Sequence, residues 1–201
     1  MSIDRLIDCE RVVCVVGSVM GVTQLRDVVY IVCSESSTIT TFCATTHQRL
    51  RDIDVEDFKR PWDIAACEQT SQLYVADCPL RDTACIWRVS ADATDIKRWL
   101  PESPSDTFTQ WKLSVTSSRL LVTTEDAKQL TQFDEVGNEL IRVRLPDYMY
   151  PSHAVESPTG TFIVSHRHTQ LKQYQVSEVN TKGQPLRQFI GPTWPPCTHC
   201  R

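Results

Sequence analysis

The sequence predicts an all-β chain built from four copies of one four-stranded unit, and three observations carry that prediction. The first is a recurring apolar tetrad: Tyr30-Ile31-Val32-Cys33, Tyr74-Val75-Ala76-Asp77, Leu121-Val122-Thr123-Thr124 and Phe162-Ile163-Val164-Ser165, spaced 44, 47 and 41 residues apart. The second is that each tetrad is flanked by short runs of β-branched and aromatic residues separated by turn residues. The third is the lack of any long amphipathic helical pattern between them. A period of this length, with several short strands in each unit, is the pattern of β-propeller blades.

The second unit is the clearest. Pro61-Trp62-Asp63-Ile64-Ala65-Ala66-Cys67 reads as an extended inner strand, with Pro61 fixing the bend and no turn residue before Glu68. Leu73-Tyr74-Val75-Ala76 is a short apolar run of β-formers, as expected of a strand covered on both faces. Residues 84–89 and 96–100 complete a four-stranded meander whose outer strand alternates apolar and basic side chains. The first unit has its inner strand within residues 19–25, followed by strands at 28–33, 38–42 and 50–55. The third has strands at 111–115, 119–122, 130–133 and 140–145, with Gly137-Asn138 as the turn before the last. In the fourth, Pro151 leads through Ala154-Val155 to strands at 161–164, 171–174 and 186–190.

The predicted organisation is an N-terminal segment over 1–18, blades over 19–190 (about 19–58, 59–104, 105–147 and 148–190), and a disordered Pro/Cys tail over 191–201. Arg11-Val12-Val13-Cys14-Val15-Val16 is a candidate closing strand for a final blade. At 201 residues the chain is long enough to bury a core, with 41% hydrophobic and 23% charged residues. No apolar run approaches the roughly 20 residues of a membrane span, and charged residues at the N-terminus do not fit a secretory signal. The expected location is cytoplasmic. Nine cysteines in an irregular spacing then read as reduced thiols, those at Cys33, Cys43, Cys67 and Cys85 standing as small hydrophobes within strands. Net charge is −4, which argues against a DNA-binding surface. The charge is uneven: residues 1–140 hold 14 Lys/Arg against 22 Asp/Glu, residues 141–201 hold 7 against 3, and four of the five histidines lie in the latter.

Pro61-Trp62-Asp63-Ile64, then Leu73-Tyr74-Val75-Ala76-Asp77, then Ile96-Lys97-Arg98-Trp99 together resemble NHL repeats, the blades of tripartite-motif–NHL proteins. The resemblance covers roughly residues 19–190 and is specific in the second blade, where Asp77 is the motif's Asp and its carboxylate is expected to cap N–H groups of the following turn. It implies a propeller that commonly closes with six blades. Four units are then an incomplete part of a six-bladed propeller, the alternative being a closed four-bladed ring.

Aligned on their inner strands, the units place Asp63, Lys112 and His153 at one equivalent position. In propellers of this type the loops entering the inner strands share a face with those between second and third strands. That face would gather Asp63, Lys112 and His153 at the central opening. Around them would stand Asp77, Arg81 and Asp82, then Glu125, Asp126 and Lys128, then His166, Arg167 and His168 from one loop. His153, His166 and His168 are the one set with zinc-ligand chemistry, but no second cluster supports them, and no metal or other cofactor is expected. Cys197-Thr198-His199-Cys200 has C-x-x-C spacing without a second pair and reads as tail. No phosphate loop or nucleophile elbow occurs.

The expected function is non-catalytic: a propeller face, with Asp63, Asp77, Lys112, His153, His166, Arg167 and His168 as its binding residues, that takes a protein partner. A rival reading is single-stranded RNA on the basic fourth blade, which needs a positive groove with stacking aromatics. A lyase-like or lactonase-like enzyme ranks last, because a Lys at the equivalent position would repel a cation.

Overall fold

The computed structural model describes residues 18–79, 84–100 and 110–189. Among them are sixteen strands and no helix, grouped in four antiparallel four-stranded meanders. Blade 1 comprises β1 (Val19–Leu25), β2 (Val28–Cys33), β3 (Thr38–Cys43) and β4 (Ile53–Asp54); blade 2 comprises β5 (Pro61–Cys67), β6 (Gln72–Asp77), β7 (Cys85–Ser90) and β8 (Ile96–Leu100). Blade 3 comprises β9 (Trp111–Thr116), β10 (Arg119–Thr124), β11 (Gln129–Phe133) and β12 (Glu139–Arg144); blade 4 comprises β13 (Met149–Glu156), β14 (Phe162–His168), β15 (Gln173–Val179) and β16 (Pro185–Phe189). The all-β prediction therefore holds. The candidate closing strand at 11–16, Arg81 and Asp82, and the tail with Cys197 and Cys200 lie outside the described residues.

Each blade is too thin to bury a core alone, so the core lies in the seams between blades. Leu25, Tyr30, Val32 and Ile39 of blade 1 meet Ile64, Val75 and Trp87 of blade 2. Ala65, Tyr74 and Ile86 on the other side of blade 2 meet Leu113, Leu120 and Val122 of blade 3. Leu121, Leu130 and Val143 of blade 3 then meet Ala154, Phe162 and Val164 of blade 4. A central strand such as β6 is buried on both faces, which is why it reads as a continuous apolar run. Cys33, Cys67, Cys78 and Cys85 are buried, and Cys43 is half-exposed.

The inner strands pack in the series β1–β5–β9–β13, without a comparable packing of β13 back onto β1. Val22 on β1 is 56% exposed and Val155 on β13 is 39% exposed, so the described residues form an open arc rather than a closed four-bladed ring.

Four local expectations are corrected. The outer strand of blade 1 is only Ile53–Asp54, because Leu50 bonds back to Thr41 and Arg49 bridges Phe42 in a widened turn. The third strand of blade 4 runs Gln173–Val179, since residues 169–172, Leu171 among them, form the β14–β15 turn. His166, Arg167 and His168 are not a loop: they continue β14 and pair with Gln175, Tyr174 and Gln173. Finally, strand pairing sets Ile163, not Phe162, in the place of Tyr74, because Ser165 pairs with His153 as Ala76 pairs with Asp63.

Candidate binding face at the inner strands

Three of the four inner strands open with the same irregularity. The register slips by one residue between Val19 and Gly21, between Pro61 and Asp63, and between Pro151 and His153. Such a bulge re-aims the residue that follows it. In blade 3 the pairing is regular, and Lys112, opposite Thr123, takes the equivalent place. One repeat position thus carries Gly21, Asp63, Lys112 and His153 from successive blades.

Each of these residues is engaged with a neighbouring blade. A Cβ on Gly21 would stand 2.8 Å from the Ile64 nitrogen and 2.9 Å from Asp63 Oδ1, so only glycine lets β1 and β5 approach. Asp63 Oδ2 accepts a hydrogen bond of 2.8 Å from Leu113 N on β9, and Lys112 Nζ lies 3.7 Å from Asp63 Oδ1. Burial raises the Asp63 carboxyl above the ordinary carboxylate range, against the opposing pull of Lys112. Lys112 Nζ also donates to Trp62 O at 3.4 Å. His153 Nε2 lies 3.2 Å from Leu113 O and donates to it in the Nε2–H tautomer. Ser114 Oγ donates to Ala154 O at 2.8 Å, completing the link from blade 3 to blade 4.

These residues line a cleft of about 440 Å³ to which all four inner strands contribute, including Thr23, Asp63, Lys112, Ser114 and His153. Lys112 also borders a smaller cleft of about 150 Å³, with Thr123, Glu125, Pro151 and Ser152. Burial, and then the negative charge of Asp126, raise the Glu125 carboxyl. Tyr150 Oη donates to Asp126 at 2.9 Å, and Lys128 Nζ donates to Asp147 O at 2.7 Å.

The remaining sequence-proposed residues separate. Asp77 is 2% exposed, and its two oxygens accept from Lys59 N at 3.0 Å and Arg60 N at 2.6 Å. It thereby caps the chain entering β5, where Asp77 pairs with Pro61 at the start of that strand; the turn expected to follow it includes residues outside those described. His166 is 1% exposed, with Nε2 3.0 Å from Ser177 Oγ, and burial lowers its pKa. His168 stacks on Tyr148 with ring centroids 4.7 Å apart and planes at 26°. Arg167 is exposed on the opposite side of β14. The three histidines do not converge, and among the described residues no group of three or more His, Cys, Asp or Glu is placed to hold a metal ion.

The sequence reading missed one feature, a cleft of about 570 Å³ at the outer edge of the seam between blades 2 and 3, bordered by Tyr74, Arg88, Lys97, Trp99 and Glu135. The Glu135 carbonyl there accepts from both Arg88 Nη1, at 3.2 Å, and Trp99 Nε1, at 3.3 Å. Burial pushes the Tyr74 hydroxyl up to about 12. Its only trace in the sequence is the apolar–basic alternation of β8.

No protein-family model matches the chain, and no curated protein matches it by sequence. Solved structures do match. A chain of the nidogen/laminin complex aligns with a TM-score of 0.63 at 14% identity, over 85% of this chain and 63% of that one. A catalytically inactive virginiamycin B lyase from Staphylococcus aureus with quinupristin aligns with a TM-score of 0.64 at 14% identity, over 87% of this chain and 56% of that one. Hydrazine synthase of Kuenenia stuttgartiensis aligns with a TM-score of 0.63 at 15% identity, over 85% and 48%. The chain thus spans about half to two thirds of the length of these solved chains. At such identities the likeness concerns architecture alone, and the architecture is that of an all-β propeller with four four-stranded antiparallel blades.

Proposed function

We infer that the protein is a non-catalytic binding module, resembling NHL propellers, whose inner-strand face takes a protein partner. The observation that carries this reading is the engagement of Asp63, Lys112 and His153. All three reach one cleft from successive blades, yet each is bonded to a neighbouring inner strand. Side chains bonded in this way form a rigid polar floor, and a preorganised surface loses little conformational freedom on binding. Among the described residues, none of the three side chains is hydrogen-bonded to a Ser, Thr or Cys side chain.

The rim supplies what a protein interface uses: Tyr150 tied to Asp126, Tyr148 stacked on His168, and the exposed Arg167 and Ser152. Asp77 and His166 support the floor from within.

The test is site-specific photocrosslinking in cells, with the photoreactive amino acid placed at Ser152 or Tyr150 and, as a control on another face, at Val136. Protein adducts from the first two positions and few from Val136 support the reading. Adducts that form only at Val136, or that disappear on ribonuclease treatment, overturn it, the latter in favour of RNA.

A further inference from the structure

The two ends of the arc expose the same kind of surface that is buried in every internal seam. In the seam between blades 2 and 3, Ala65 and Tyr74 meet Leu113 and Val122, and all four are 1–7% exposed. Strand pairing identifies their counterparts at the ends. Val155 and Ile163 of blade 4 pair with each other as Ala65 and Tyr74 do. Val22 and Ile31 of blade 1 pair as Leu113 and Val122 do. These counterparts are uncovered: Val155 is 39% exposed, Val22 is 56% exposed, and Ile163 and Ile31 are half-buried. Phe189, at 42%, extends the apolar surface of blade 4 across Val176.

We propose that these two surfaces cover each other between two copies of the chain, blade 4 of each copy seating on blade 1 of the other. The contact is head to tail, and a head-to-tail contact ends in a closed ring when its rotation closes. Two such seams around a twofold axis give eight blades, within the range that propellers adopt.

Three facts favour a second copy as the occupant. The meeting surfaces carry the positions that already form the internal seams, so one copy offers the half that the other lacks. The end blades are oppositely charged: residues 19–58 hold three Lys/Arg against six Asp/Glu, and residues 148–189 hold four against two. The chain also spans 56–63% of the propeller chains it is similar to, a length that two copies together match or exceed. Val22 also lines the inner-strand cleft whereas Val155 does not, so Val155→Arg tests the contact apart from the partner-binding reading.

Sedimentation equilibrium of the full chain tests it, one copy weighing 22.9 kDa. The expected result is the mass of two chains. Val22→Asp and Val155→Arg alter exposed positions, and each is expected to halve that mass while leaving the far-ultraviolet circular dichroism unchanged. Mixing the two variants in equal amounts is expected to restore a two-chain species. One seam of the mixed pair keeps both native surfaces, and the other sets the new carboxylate against the new guanidinium. A one-chain mass for the unaltered protein overturns the proposal and leaves the end faces to other blades. A two-chain mass that persists in both variants places the contact elsewhere. A ladder of masses growing with concentration shows a contact that does not close, and equally overturns the ring.

Discussion

The carboxylate of Asp63, on the inner strand of blade 2, accepts a 2.8 Å hydrogen bond from the backbone N–H of Leu113 on the inner strand of blade 3. The carbonyl of the same Leu113 faces His153 Nε2 of blade 4 at 3.2 Å. The backbone of one residue of blade 3 is therefore held at both its N–H and its carbonyl, and two of the three side chains that the sequence aligns at the cleft do the holding.

Asp63→Ala is expected to lower stability by about 1–3 kcal/mol, the cost of leaving the buried Leu113 N–H without an acceptor. Asp63→Asn keeps an acceptor oxygen and removes the buried charge. Because burial raises the folded-state pKa, the favourable contribution of Asp63 is complete below the unfolded value of about 3.9 and is lost as pH rises through the folded value. Denaturant midpoints across that range should show the Asn variant gaining on the native protein as pH rises. A constant difference would contradict the assignment.

His166 has the opposite sign. Its folded pKa is depressed by burial, so its contribution is present above the unfolded value of about 6.5 and is lost as pH falls through the folded one. His166→Gln should flatten the loss of stability between about pH 7.5 and about pH 5, read from urea midpoints. An equally steep loss in the variant would assign the acid sensitivity to other groups.

Gly183 and Gly160 both sit in turns with positive φ, +76° and +77°, but only Gly183 touches another blade. A Cβ there would stand 2.0 Å from Arg144 O, whereas a Cβ on Gly160 meets nothing within 4 Å. Gly160→Ala is expected to cost about 1 kcal/mol of backbone strain. Gly183→Ala should cost several-fold more in a thermal melt, because blade 4 must also shift off blade 3. Equal costs would mean that this contact does not hold the seam.

Ser117 and Ser118 turn the β9–β10 hairpin with φ of 48° and 61°, a left-handed pair that Asn-Gly adopts far more readily. Replacing Ser117-Ser118 by Asn-Gly should raise stability by about 1 kcal/mol. A lower melting temperature would show that the serine side chains contribute more than the turn costs them.

The blades were legible because a strand sequence repeats where the same seam is built again. The slip in blade 4 has a physical origin. Strands covered on both faces lose the two-residue alternation that fixes register, so Phe162 and Ile163 were equally good matches to Tyr74. The alignment of Asp63, Lys112 and His153 did not depend on that register, because Pro61 and Pro151 each stand two residues before the aligned position, at the register slip. Burial of His166 and Asp77 could not be read, since a polar run at a strand end resembles a loop until its pairing partners are known. The cleft beside Trp99 and Glu135 joins residues from two blades, and the apolar–basic alternation of β8 marks only one side of that meeting.

The claim on which the rest depends is that polar side chains of the inner strands clasp adjacent blades around the cleft. Amide hydrogen exchange at Leu113, followed by NMR in the native protein and in Asp63→Ala and Asp63→Asn, tests it most directly. Strong protection in the native and Asn proteins, with exchange at least about tenfold faster in the Ala variant, is the expected result. Exchange at Leu113 that is equally fast in all three proteins would contradict it.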